Sequence, residues 1–293
     1  MSRAGAFFST FFSNFAMLIE CIMAKKVLFI NQEIIPYVPE TEMSRMGKLL
    51  PEKTQSDGFE IRTFMPKWGN INERRGQLHE VIRLSGMNLI INDTDHPLII
   101  KVASIPTSRI QVYFIDNDDF FQRKATVKDK EGKEYEDNDE RSIFYVRGVL
   151  ETVKKLRWIP DLIHCHGWMS ALTGVYIKRM YADDPSLRNA KIVYSVYDDD
   201  FQSPMSANLA VKLKTDGAKD ADLKNLKTDT SFVGLSKLAV DFADGVIQGS
   251  PEINPEVLAY IGQKEQLPFL PYQSPETYID AFNKFYDTVL ESK

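Results

Sequence analysis

The chain has 293 residues, enough for one large or two small domains and for a sizeable hydrophobic core. Hydrophobic residues make up 43% and charged residues 26%, with 15 Gly and 14 Pro, a balance that excludes disordered and fibrous proteins. A formal net charge of -5 excludes nucleic acid and anionic lipid as the main partner, and the natural ligand need not be charged at all.

Arg3 precedes a Phe-rich stretch from Ala4 to Met23 that resembles a signal or anchor segment. Ser9, Thr10, Ser13, Asn14 and Glu20 interrupt it, so a spanning helix of about 20 apolar residues fits poorly. Met23-Ala24-Lys25-Lys26 running into Val27-Leu28-Phe29-Ile30 reads as a true start. Residues 1–22 are therefore expected to be a disordered or misassigned extension rather than an export signal. With only Cys21 and Cys165 present, no disulfide framework is implied, and a cytoplasmic address without membrane attachment is expected.

Lys25 to Asn31 is a continuously apolar run, the pattern of a strand buried on both faces of a parallel sheet. Residues 44–55 suit a helix that Gly58 breaks, and Glu60 to Phe64 a strand ending at Pro66. Leu78 to Leu84, Met87 to Asn92 and Leu98 to Ala103 alternate with turn signals and are expected to be hairpin strands decorating the sheet. After a strand at Ile110 to Ile115, the charged tract from Lys124 to Glu140 reads as a solvated, mobile loop. Apolar residues from Ile143 to Leu156 then recur at helical spacing until Pro160.

Asp161 to Cys165 is the next strand, Met169 to Ala182 a helix and Lys191 to Val196 a strand, the rhythm of a doubly wound α/β domain. The polar tract Asp198 to Thr230 reads as a long flexible insertion with one short helix. A helix over Ser231 to Phe242, a strand over Gly245 to Gln248 and a helix over Pro251 to Ile261 follow. Pro275 to Leu290 closes the chain as an amphipathic helix. The fold class expected is a three-layer α/β, Rossmann-like domain with a mostly parallel sheet.

Ligands of open α/β sheets bind at the carboxyl ends of the strands, where Ile163-His164-Cys165-His166-Gly167-Trp168 forms the densest cluster. His-x-His on a strand supplies only two metal ligands with no obvious third, so no metal site is expected there. His166 either binds a ligand hydroxyl or phosphate or is a hydrogen-bonded histidine fixing a loop. The acids Asp198-Asp199-Asp200 and the run Asp116-Asn117-Asp118-Asp119 suit a divalent cation or, more commonly, a solvated loop or helix cap. Asn31-Gln32-Glu33-Ile34-Ile35-Pro36-Tyr37 stands where a dinucleotide-binding chain carries its glycine fingerprint, so a conventional nucleotide cofactor is not expected.

Six segments in order resemble the bacterial glycogen and starch synthases, retaining glycosyltransferases that extend α-1,4-glucan from ADP-glucose or UDP-glucose between two facing Rossmann-like domains. They are Val27 through Pro36-Tyr37-Val38, Met65-Pro66-Lys67-Trp68, Val112-Tyr113-Phe114-Ile115-Asp116-Asn117, Asp137-Asn138-Asp139-Glu140-Arg141, Asp161 through Trp168, and Ala243-Asp244-Gly245-Val246 leading to Ser250-Pro251. The resemblance implies the N-terminal half of such an enzyme, with residues 23–265 as the Rossmann unit and 266–293 as a C-terminal helix packed on it. His166 is the catalytic candidate, and Tyr37, Asn117, His164, Trp168 and Asp198 are the ligand-binding candidates.

The departures from the family pattern fall where its chemistry lies. Lys-Thr-Gly-Gly-Leu, whose lysine faces the sugar nucleotide in the family, is replaced by Pro39, Glu40, Thr41, Glu42 and Met43. His-Asp-Trp-His keeps only His166 and Trp168, with Gly167 and Met169 in the other places, and Thr-Ile-His-Asn becomes Ser195-Val196-Tyr197-Asp198. The chain also ends after one Rossmann unit, so as an isolated chain it is expected to be an inactive or incomplete glucosyltransferase. The alternative is a non-catalytic module that binds a glucan or a partner protein, and a third reading is unrelated chemistry on the strand-tip acids and His166. The implied partners are a glucan or sugar nucleotide and a partner protein or second-half subunit.

Overall fold

The computed structural model describes residues 24–106, 108 and 110–292. The expected extension over residues 1–22, with Cys21, lies outside the described residues. Ten strands are present among the described residues: β1 (Lys26–Asn31), β2 (Glu60–Pro66), β3 (His79–Glu80), β4 (Met87–Ile91), β5 (Thr94–Ser104), β6 (Gln111–Asp116), β7 (Leu162–His166), β8 (Lys191–Val196), β9 (Gly245–Gln248) and β10 (Phe269–Leu270). They run in the order β10-β9-β8-β7-β1-β2-β6-β5-β3, with β4 paired to β5. Every neighbouring pair from β10 to β6 is parallel, and β3, β4 and β5 are the antiparallel margin.

Among the described residues, six helices of eight or more residues flank the sheet: α1 (Glu42–Ser56), α2 (Asn138–Lys155), α3 (Leu209–Asp216), α4 (Phe232–Phe242), α5 (Pro255–Gly262) and α6 (Tyr278–Glu291). The alternation along β1 explains the layering. Leu28 and Ile30 face one apolar cluster that includes α2 and α4, while Val27 and Phe29 face a second built with α1 and α6. A central parallel strand covered on both sides has no solvated face, which is why β1 reads as an unbroken apolar run. The result is a three-layer, open, mostly parallel α/β sheet of the Rossmann type.

Helix α6 turns Tyr278, Phe282, Phe285, Tyr286 and Val289 onto the sheet and is tied down at both ends. Tyr272 just before it donates to Glu42 at 2.9 Å, and Asp287 near its far end pairs with Lys25 at 2.7 Å. At the β4–β5 hairpin, Asn92 and Asp93 both take positive φ, the left-handed pair that a two-residue turn demands.

Three segments depart from the sequence expectation. The tract from Asp198 to Thr230 is packed rather than a loose insertion, because Leu209, Leu213, Leu223 and Leu226 are buried in the larger apolar cluster. Its polar residues form the outer surface, where Arg179 clamps Asp222 at 2.7 Å. The charged tract from Lys124 to Glu140 is likewise anchored: Glu134 accepts the backbone N–H groups of Gln202 and Ser203 at 2.8 and 2.9 Å. Expected as one helix, the stretch from Met169 to Ala182 is a 3-10 turn (Trp168–Ser170), an α turn (Thr173–Val175) and a π turn (Tyr176–Met180).

Candidate functional site

Parallel register brings the carboxyl ends of four strands to one edge: Asn31 lies beside His166, His166 beside Ser195, and Val196 beside Gln248. The loops leaving these strands enclose an open pocket of about 560 Å³ lined by Glu33, Thr41, Glu42, Met43, Tyr197, Asp198, Asp199, Ser250, Pro251 and Glu252. Five of those residues are acids, and no lysine or arginine stands among the described lining residues.

The wall formed by α1 is built from its own first turn. Thr41 is the N-cap: its hydroxyl accepts the Ser44 N–H at 3.0 Å, and the Ser44 hydroxyl accepts the Thr41 N–H at 2.7 Å, a reciprocal capping box. The Thr41 hydroxyl spends its proton on Glu33, 2.6 Å away. A helix N-terminus attracts anions through its free N–H groups and dipole. Here the Thr41 hydroxyl already takes the Ser44 N–H, and Glu42 places a carboxylate in the first turn.

Gly167 explains how the floor closes. Its φ of +79° is a left-handed conformation that suits glycine, and a Cβ there would sit 2.9 Å from both Sδ and Cε of Met43 and 2.8 Å from Gln32 Oε1. Met43 fills the space that a larger residue at 167 needs, so the replacements at these two positions fit each other.

Electrostatics in the pocket follow from burial without a counter-ion. Asp199 accepts the Trp168 N–H at 3.2 Å through Oδ2, while its Oδ1 is shielded from solvent and has no hydrogen-bond partner. The residue is only partly buried and lines the pocket, yet desolvation, opposed by that N–H and the residue's own backbone N–H and helped by Glu33 and Asp200 nearby, pushes its carboxyl up to about 8. Glu33 is raised as well, by desolvation that the Thr41 hydrogen bond only partly offsets. Asp200 beside them is also raised by desolvation and binds Asn254 at 2.7 Å.

Beneath the pocket lies a buried polar network. His166 binds the Tyr197 hydroxyl through Nδ1 at 2.8 Å, and its Nε2 has no partner. His164 binds the Tyr286 hydroxyl at 2.6 Å and the Ser195 hydroxyl at 2.7 Å, linking helix α6 to the sheet. Both imidazoles are fully buried, with ring centroids 3.8 Å apart. Burial pushes His166 down to about 3 and holds His164 well below the ordinary histidine range, so both are neutral.

Of the candidates taken from sequence, Asp198 lines the pocket, exposed and anchored by its N–H to the Ser250 hydroxyl at 3.1 Å. His166 reaches it only through Tyr197. Trp168, 1% exposed, packs edge-on to Phe201 and donates its backbone N–H to Asp199. Asn117 directly follows β6, three strands from β7, and caps the turn after it by accepting from the N–H groups of Asp119 and Phe120. Tyr37 packs edge-on to Phe114 with its buried hydroxyl unpartnered, and burial pushes that phenol to about 12.

Glu33 and Glu252 were not singled out by the sequence. Glu33 lies two residues beyond the end of β1 and Glu252 four beyond the end of β9, and only the strand order brings the two loops to one edge. Among the described residues, no group of three or more His, Cys, Asp or Glu side chains is arranged to hold a metal ion.

Comparison with known proteins fits this architecture. Residues 26–267 match the family model of the starch synthase catalytic domain. A glycogen synthase of Chlorobium chlorochromatii is 38% identical over 174 residues, 59% of this chain and 36% of the relative. A glycogen synthase of Chlorobium phaeovibrioides is 31% identical over 238 residues, 81% of this chain and 48% of the relative. The chain thus spans half or less of the length of these relatives. Among solved structures, the catalytic domain of starch synthase IV from Arabidopsis thaliana, bound to ADP and acarbose, superposes with a TM-score of 0.71 at 18% identity, covering 86% of this chain and 52% of that one. On the strength of the match over residues 26–267, the chain belongs to the starch synthase catalytic domain family of glycosyltransferases.

Proposed function

We propose that this chain is a glycogen and starch synthase-type domain that binds carbohydrate at its strand tips but does not hold a sugar nucleotide for transfer. The observation that carries the reading is the pocket lining: five acids and no cation among the described residues. A diphosphate with about two negative charges, about 7 Å from a single carboxylate at an effective dielectric of about 20, is repelled by roughly 5 kcal/mol. The α1 N-terminus offers little compensation, because the Thr41 hydroxyl already accepts its Ser44 N–H and Glu42 places a carboxylate in its first turn.

Sugar hydroxyls suit the same lining. Carboxylates accept from hydroxyl donors in charge-assisted hydrogen bonds, and the raised carboxyls of Asp199 and Glu33 can donate as well as accept. The related starch synthase holds acarbose together with ADP, and the reading keeps the carbohydrate half of that pair. It has the chain act in the cytoplasm as a non-transferring partner of an active synthase in glucan metabolism. Retardation in native gels containing glycogen tests it. The wild type is expected to be retarded and the Asp198→Asn, Glu252→Gln double variant to run freely; equal mobility of the two, or no retardation of either, contradicts the reading.

A further inference from the structure

The described residues expose five large apolar side chains, and two of them, Ile90 at 57% and Val211 at 61%, line one groove of about 310 Å³. Ile82, Ile159 and Leu258, the other three, lie on separate segments, the scatter expected of an ordinary surface. Ile90 belongs to β4 and Val211 to α3, so both sides of the groove carry exposed apolar surface, and the buried Ile91 and Ile143 complete its apolar lining.

We propose that this groove seats an amphipathic helix of a partner protein, its branched apolar side chains turned into the groove and lysine or arginine at its flanks. The groove shares no lining residue with the strand-tip pocket, so the two sites stand or fall separately.

The charge of the partner follows from the rim. Lys212, the only base in the lining, is held by two acids, Asp139 at 2.6 Å and Glu140 at 2.7 Å. Asp216 is balanced by Arg147 at 3.5 Å. Asp93, exposed at the tip of the β4–β5 hairpin, has no ion pair among the described residues. The rim is therefore negative, which attracts a cation on the partner and repels a carboxylate.

The shape of the partner follows from the strand edge. Among the described residues β4 pairs with β5 alone. Its outer edge is nevertheless closed to a further strand, because Arg147 reaches from α2 to donate to the Ile90 carbonyl at 2.6 Å while pairing with Asp216 of α3. An incoming chain is left with side-chain contacts rather than main-chain pairing, which is how an amphipathic helix binds a groove. The volume is at the small end for a binding cavity and suits a few inserted side chains.

The probe is a fluorescein-labelled peptide of about 15 residues, long enough to form a helix, with leucines at helical spacing and lysines flanking them. It is titrated with the full chain and followed by anisotropy. Companion peptides carry glutamate in place of each lysine, or valine and threonine in strand alternation between the same lysines. The lysine helix is expected to bind at least about tenfold more tightly than the glutamate version, and to lose at least about tenfold in Val211→Asp and in Ile90→Asp. Both substitutions fall on exposed side chains, and should one variant fail to fold the other carries the test. Equal binding by the wild type and the folded variants, equal binding of the lysine and glutamate peptides, tighter binding of the strand peptide, or no binding at all overturns the proposal. So does a concentration-dependent dimer in sedimentation that Val211→Asp abolishes, since the groove then takes a second copy of the chain.

Discussion

The Thr41 hydroxyl donates to Glu33 at 2.6 Å while accepting the Ser44 N–H at 3.0 Å, so one side chain caps helix α1 and steadies a pocket acid. Replacing Thr41 with Ala removes both bonds. A lost N-cap costs about 1 kcal/mol, and urea denaturation of Thr41→Ala is expected to show a loss of that size or somewhat more. The Glu33 carboxyl, stripped of the one hydrogen bond that lowers it, should titrate higher still in NMR.

Gly167 combines positive φ with a filled neighbourhood. Gly167→Ala is expected to cost about 1–3 kcal/mol from left-handed strain and from contact with Met43. Pairing it with Met43→Ala relieves the contact but not the strain, so a thermodynamic cycle should recover part of the loss. Full additivity of the two substitutions would show that the side chains do not meet.

Both buried histidines are neutral in the folded chain, with proton affinities depressed from 6.5. Below about pH 6.5 the unfolded chain takes up protons that the folded one refuses, so stability falls as pH falls, by roughly 1.4 kcal/mol per histidine per pH unit until the folded groups titrate. Thermal melts between about pH 7 and 4.5 should show this slope, and His166→Gln should flatten it. An unchanged slope in the variant would place the acid sensitivity elsewhere.

Asp199 acts in the opposite direction. Its folded carboxyl is raised to about 8 from 3.8, so between those values the folded state holds a proton that the unfolded state has released. Its contribution is present at low pH and is lost as pH rises through that window. Asp199→Asn should therefore gain stability over the wild type at about pH 8 and lose that advantage near pH 4, measured by denaturant midpoints.

The fold was legible in the sequence because central parallel strands are apolar on both faces. Val27 to Ile30, Ile163 and Val193 announce themselves, and the periodicity of Phe282, Phe285, Tyr286 and Val289 marks the covering helix. The tract from Asp198 to Thr230 was not legible, since four well-spaced leucines carry its burial while lysines and aspartates dominate its composition. At the site, Asp198 follows from its place after β8, whereas Glu33 and Glu252 do not. Their loops converge only through strand order β9-β8-β7-β1, a non-local arrangement that no window of sequence displays. The histidine cluster was visible as a pattern; its burial, set by α6 more than a hundred residues away, was not.

The most direct test of the central claim is calorimetric titration of the chain with ADP-glucose, UDP-glucose and maltotetraose. The account predicts heat from the oligosaccharide and none from either sugar nucleotide. Micromolar binding of a sugar nucleotide would contradict it, because five acids without a cation would then be holding a diphosphate.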